Sequence, residues 1–280
     1  MKFTKKLIPI SSKDITIVIL LYNTPHNLVK NLLVYKDFNI LILDQSNDLI
    51  LKTKLLKLLP NIKYYKVTNK NLGFATGINY LVNKVKTKYF LCTQVDVLLT
   101  KKDIFNLTKT FKIKNNCIIS IPSIQKNEFK KKQIIQVDRF IGAIFLADKK
   151  RFINLGCFDE NYFFYWEDID LSSRITLSKY KIFKNQSAKA IHLSGSSTST
   201  SLKTFYIRNV NFKFGEYLFQ FKNNDLKIIK ILREPLTFII KFIFFTFLLS
   251  KKKALSNLFN FLGLAKFYLF YFRFKIKGRL

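Results

Sequence analysis

The chain has 280 residues with 49 Lys plus Arg against 17 Asp plus Glu, a formal net charge of +32. That length suits one α/β domain of about 200 residues plus an appendage, and the charge predicts attraction to polyanions (diphosphates, anionic lipid or nucleic acid) without choosing among them. Cys92, Cys117 and Cys157 are odd in number, widely spaced and form no CxxC pair, which supports neither a disulfide framework nor a zinc site and fits a reducing compartment.

The opening MKFTKKLIPI is basic but leads only to a short apolar run, a poor match to a signal peptide. Residues 15–21, 40–44, 62–67 and 89–92 are short apolar runs that read as strands, with amphipathic, helix-like stretches between them. Strand and helix alternating at this spacing predict a parallel sheet with helices on both faces, whose ligands bind at the carboxyl ends of the strands. Polar residues follow each run: Tyr22 and Asn23 after the first, Asp44 and Ser46 at the second, the stretch 69–73 after the third, Gln94 and Asp96 after the fourth. A single such residue is ordinary turn chemistry; four in series predict a binding crevice.

Residues 126–132 are lysine-rich and read as a solvated loop. Beyond it, GAIFLADKKRFINLGCFDENYFFYWEDIDLSSR places Glu167 and Asp168 directly after the aromatic run FFYW. Leu171, Ile175 and Leu177 among polar residues predict a helix over 170–179, with the two carboxylates at its N-terminus, where the helix dipole favours the ionised form. A partly desolvated carboxylate there can act as a general base; plain helix capping gives the same pattern. The run SGSSTSTS, 194–201, is either a flexible closure over a ligand or a linker. From residue 205 the chain is helical, basic and aromatic. Within it, 236–249 is apolar except for Thr237, Lys241 and Thr246, shorter than a spanning helix, and reads as an interfacial or re-entrant attachment to anionic lipid or as a buried helical hairpin.

Taken together, the strand ending in YN, the second ending in DQSND, NLGFATGIN at 71–79, QVDV at 94–97, the acidic segment, the lone His192 and FYIRN at 205–209 resemble glycosyltransferase family 2, the inverting GT-A-type enzymes, in particular its rhamnosyltransferase-like and galactofuranosyltransferase-like members. The resemblance covers about residues 15–211. It implies a GT-A-type Rossmann-like mixed sheet flanked by helices over 1–204, with 205–280 a basic, aromatic helical region associated with a membrane. It implies a nucleotide-sugar donor near Tyr22, Asn23, Asp44, Ser46, Asn71, Gly73, Gly77, Asn79, Gln94, Gly142 and Trp166. Gly73 and Gly77 would let backbone N–H groups approach a diphosphate, or would serve a tight turn; Tyr165 and Trp166 would face a sugar ring, or belong to the core. Asp96 matches the family's last metal-binding aspartate and His192 an additional ligand, for Mn²⁺ or Mg²⁺, with the histidine favouring Mn²⁺. Asp168 matches the general base, with Glu167 as its positioning or acceptor-binding partner.

Two departures qualify the match. Gln94 stands where relatives carry a further charged ligand, which weakens metal binding, and Cys157 where many have glycine, which matters only if the backbone is strained there. No QxxRW segment follows the acidic pair, which argues against a processive synthase. The expectation is an enzyme that transfers one or a few sugars to a glycan or lipid-linked acceptor in surface polysaccharide synthesis, at the inner face of the cell membrane. The alternatives are a catalytically silent nucleotide-sugar binder and a basic nucleic-acid-binding protein; no nucleic-acid module supports the latter.

Overall fold

A computed structural model describes residues 10–129, 131–193, 195–198 and 201–276, with 126, 228, 275 and 276 described by their backbone alone. The chain divides into two compact units. Unit 1 comprises Met1–Leu72, Thr76–Asp159 and Leu171–Ser199; unit 2 comprises Gly73–Ala75, Glu160–Asp170 and Thr200–Leu280. The boundary expected at 204/205 lies near the chain's passage into unit 2, which also takes in two short stretches, 73–75 and 160–170, that no local pattern marks.

Unit 1 is built on an eight-stranded mixed sheet in the order β3-β2-β1-β4-β8-β6-β9-β7. β1 (Ile15–Leu21), β2 (Asn39–Asp44), β3 (Ile62–Val67) and β4 (Tyr89–Thr93) are mutually parallel. The run ITIVILL of β1 is buried almost throughout, as expected of a central strand covered on both faces. Leu21 pairs with Asp44 and Asp44 with Val67, so the carboxyl ends of β1, β2 and β3 lie side by side. α1 (Leu49–Leu58) starts on an Asp48 cap, and α3 (Lys101–Ile113) on a capping box between Thr100 and Asp103. α2 spans Phe74–Lys84.

The other half of the sheet is mostly antiparallel: β8 (Phe145–Asp148) runs against β4 and β6 (Cys117–Ser123), and β7 (Ile134–Val137) against β9 (Lys181–Lys189). Beneath it, Phe90, Phe145, Phe152 and Phe158 meet edge to face, fixing β8 and α4 (Lys149–Asn154). A separate ribbon pairs β5 (Val97–Leu98) antiparallel with β10 (Ile191–His192), setting His192 opposite Val97. α5 spans Glu167–Thr176, starting three residues before the expected helix and stopping short of Lys179, where the Ser178 hydroxyl donates to the Ile175 carbonyl.

Unit 2 contains α6 (Leu202–Lys222), α7 (Ile228–Phe247) and α8 (Lys251–Ile276), with α8 packed on both others. Its core is Tyr162, Phe214, Tyr217, Leu218, Leu264 and Phe267. A Cβ on Gly263 would lie 2.5 Å from the Val210 carbonyl oxygen, so glycine permits the close crossing of α8 on α6. α7 and α8 form a helical hairpin, yet one face of α7 stays exposed. Among the described residues no helix is long and apolar enough to cross a membrane.

Candidate active site

In unit 1 the polar strand ends gather beyond one edge of the sheet. Asp44 is fully buried: one carboxylate oxygen accepts from the Ser46 N–H at 2.9 Å and hydroxyl at 2.6 Å, the other from the Tyr65 hydroxyl at 3.1 Å. Asn23 is exposed at the end of β1 with φ +44, a left-handed conformation that asparagine tolerates better than most residues. Tyr22 is half-buried next to it. Buried Gln45, which sequence reasoning passed over, accepts from the Leu72 N–H at 2.6 Å and pins the turn that carries Asn71.

Asn79 is buried and exchanges two hydrogen bonds with the Phe158 backbone, at 2.8 and 3.1 Å. Gly77 has a packing reason within its own unit, since a Cβ would lie 2.6 Å from a Leu20 methyl. The Gly142 carbonyl accepts from the Cys92 thiol. Cys157 has φ +58, so the backbone at this position is left-handed and a glycine would be at ease there. Arg174 holds that turn by donating to the Leu155 and Cys157 carbonyls, both at 2.7 Å.

Asp96 and His192 come together through the β5–β10 ribbon, His192 Nε2 lying 3.7 Å from Asp96 Oδ2. That same Oδ2 accepts from the Ser197 N–H at 3.0 Å, and the Leu193 N–H donates to the Asp96 carbonyl. Asp96 Oδ1 is buried without a hydrogen-bond partner. A buried carboxylate oxygen with nothing to satisfy it, beside an imidazole, is a donor pair that a divalent cation accepts, so these residues fit such an ion. No cluster of three or more His, Cys, Asp or Glu surrounds them among the described residues; the remaining positions would fall to water and substrate oxygens. Gln94 is half-buried two residues before Asp96.

In unit 2, Gly73 has φ +85, and a Cβ there would collide with the Phe163 carbonyl oxygen, which accepts from the Phe74 N–H at 2.7 Å. The glycine is required by that contact. Tyr165 and Trp166 are consecutive left-handed residues, φ +70 and +73, and then α5 begins. Bulky aromatics are outliers in this region. Trp166, partly buried, packs against Phe212 and Phe219 beside the core of unit 2, and a Cβ on Gly215 would lie 2.8 Å from its ring.

The two carboxylates in the first turn of α5 differ in environment. Glu167 is 5 % exposed, and one of its oxygens has no hydrogen-bond partner. Burial, and secondarily the charge of Asp168, pushes its carboxyl well above the usual range, outweighing the helix dipole that was expected to keep it ionised. Asp168 is more exposed, and its Oδ1 accepts from the Ile169 N–H at 2.9 Å. Such a pair can offer one neutral and one proton-accepting carboxyl. The stretch 194–201 lies partly outside the described residues: Ser194, Ser199 and Thr200 are not described.

Residues 16–173 match the profile of Glycosyl transferase family 2. No curated protein matches the chain in sequence. Among solved structures it is similar to the mannosyltransferase PcManGT of Pyrobaculum calidifontis in complex with GDP-Man and Mn²⁺, with a TM-score of 0.59 and 12% identity over 77% of this chain and 65% of that one. It is also similar to GalNAc-T7 with UDP, GalNAc and Mn²⁺, with a TM-score of 0.55 and 15% identity over 72% of this chain and 47% of that one. The chain thus spans less than two thirds of either structure, and the likeness is one of fold, the GT-A glycosyltransferase fold. Because the family profile takes in more than half of the chain, the chain belongs to glycosyltransferase family 2.

Proposed function

We propose that the protein is an inverting glycosyltransferase that moves a sugar from a nucleoside-diphosphate sugar to a hydroxyl of a glycan or lipid-linked acceptor in surface polysaccharide synthesis. The carrying observation is the carboxyl pair of α5, one member buried with a raised pKa and the other accessible. Asp168 takes the proton of the acceptor hydroxyl as that oxygen bonds to the anomeric carbon. The bond from that carbon to the diphosphate oxygen breaks, its electron pair leaves with the nucleoside diphosphate, and a single displacement inverts the centre. Glu167, whose carboxyl burial pushes well above the usual range, serves as the positioning partner of Asp168. Asp96 and His192 would hold Mn²⁺ or Mg²⁺, which when bound offsets the charge of the departing diphosphate. Rhamnosyl and galactofuranosyl donors are the first to try, because the motifs resemble those subgroups.

Attachment to an anionic membrane surface is part of the same reading. Ile229, Leu232, Leu236, Ile240, Ile243 and Phe247 are 48–83 % exposed along one side of α7, a stripe of about 30 Å in a 20-residue helix. Lys227, Arg233, Lys241 and Lys251–Lys253 are exposed around it. Glu234, the sole acid in α7 and α8, instead meets Lys213 at 3.4 Å and Lys230 at 3.8 Å. An apolar stripe with a cationic rim suits anionic headgroups, whereas a second copy of the same face would bring like charges together.

Thermal denaturation with UDP-, GDP- and dTDP-sugars, with and without Mn²⁺, tests the donor side, followed by product analysis for each nucleotide sugar that binds. A metal-dependent rise in Tm and product of inverted configuration are expected. No shift with any nucleotide sugar would count against the reading.

A further inference from the structure

Beside the carboxyl pair, unit 2 contains a cavity of about 270 Å³ lined by Tyr165, Arg208, Asn209 and Phe212. Arg208 and Phe212 are one helical turn apart on α6, and the Tyr165 and Phe212 rings meet at 5.7 Å with an interplanar angle of 77°. The cavity has an aromatic wall and one cation. Asn209 is already engaged, donating to the Phe205 carbonyl and accepting from the Ser256 hydroxyl.

Arg208 is half-buried and makes no ion pair or hydrogen bond among the described residues. Other cations of unit 2 are treated differently: Lys213 and Lys230 meet Glu216 at 2.7 and 2.6 Å, and Lys222 meets Asp170 at 2.8 Å. A partly desolvated guanidinium without a carboxylate is unfavourable unless an anion arrives from outside. The backbone supplies a second, independent sign. The left-handed conformations of Tyr165 and Trp166 cost roughly 1–2 kcal/mol each, and such strain persists where a site needs its side chains held. Here it sets the Tyr165 ring into the wall of the cavity, with its hydroxyl in the field of Arg208.

We infer that Arg208, Tyr165 and Phe212 form a subsite for a sugar phosphate, the phosphorylated end of the acceptor. The planar fork of the guanidinium matches phosphate oxygens in a two-pronged contact, and the aromatic wall offers an apolar face to a sugar ring. Assignment to the acceptor rests on the transferase reading: Tyr165 stands three residues before Asp168, which must touch the acceptor hydroxyl. Phosphate recognition does not depend on that reading.

The chain has a single tryptophan, Trp166, whose ring lies 5.8 Å from that of Phe212, so its fluorescence reports on the subsite. The full chain would be titrated with glucose 1-phosphate, glucose, glucuronate and UDP. A saturable response to glucose 1-phosphate and none to glucose is expected, with affinity about tenfold weaker in Arg208→Gln and partly regained in Arg208→Lys. The response should persist at saturating UDP with Mn²⁺. No response in the unaltered protein, equal affinity in Arg208→Gln, or equal binding of glucuronate would overturn the phosphate subsite; displacement by UDP would overturn its assignment to the acceptor. If Arg208→Gln fails to fold, Arg208→Lys decides, and unchanged affinity there refutes the two-pronged contact. Arg208-dependent binding together with no turnover from any donor would uphold the phosphate site and remove the transferase.

Discussion

Replacing Glu167 with glutamine separates its burial from its charge. An unfolded glutamate releases its proton near pH 4.3, whereas burial holds the proton on the folded carboxyl to a higher pH. Between those two points the folded state binds more protons, so stability falls as pH rises, by about 1.4 kcal/mol per pH unit, and levels off above the folded pKa. Glutamine keeps the shape and carries no titrating proton. Glu167→Gln should therefore match the parent near pH 4 and become progressively more stable above it, the gap widening by about 1.4 kcal/mol for each unit through which the folded carboxyl stays protonated. Urea denaturation from pH 4 to pH 8, followed by Trp166 fluorescence, measures this where the residue sits. A gap independent of pH, or a variant less stable than the parent at pH 8, would show that Glu167 is ionised in the folded chain and would refute the reasoning.

Gly73→Ala must place a Cβ against the Phe163 carbonyl oxygen at φ +85, and a loss of about 2 kcal/mol or more is expected in chemical denaturation. Asn79→Ala removes two buried hydrogen bonds to the Phe158 backbone and should cost about 2–4 kcal/mol by the same measurement. On α7, Ile243→Asp with Phe247→Asp should abolish co-sedimentation with phosphatidylglycerol vesicles while leaving Tm within about 2 °C, since both side chains are exposed; unchanged sedimentation would remove α7 from the lipid contact.

The parallel strands were legible because burial on both faces writes uninterrupted apolar runs, as in ITIVILL of β1. β9 was not, because KIFKNQSAK hides Asn185 and Gln186 inside the sheet: Asn185 donates to the Asn106 carbonyl at 2.7 Å, a pairing that a local pattern does not reveal. β8, only four residues long, leaves too short a signal. At the site, the acidic pair could be placed at a helix start from spacing alone, but the burial that separates Glu167 from Asp168 depends on tertiary packing. Asp96 and His192 meet through two-residue strands far apart in sequence, so only the family resemblance linked them. Gly77 sits so close to Leu20 that a Cβ would clash, a contact that spacing cannot predict. Arg208 stood in the FYIRN motif all along; what identifies it is its want of a partner among the described residues, which is a property of three dimensions.

The most direct test of the proposed chemistry is turnover by Asp168→Asn with a nucleotide sugar that the unaltered protein uses. Loss of the proton acceptor should lower kcat by about 10²–10⁴, while the KM for the donor changes by no more than about threefold, because the lost interaction belongs to the transition state. Turnover by the variant at the parent rate would contradict the assignment of Asp168 as the base.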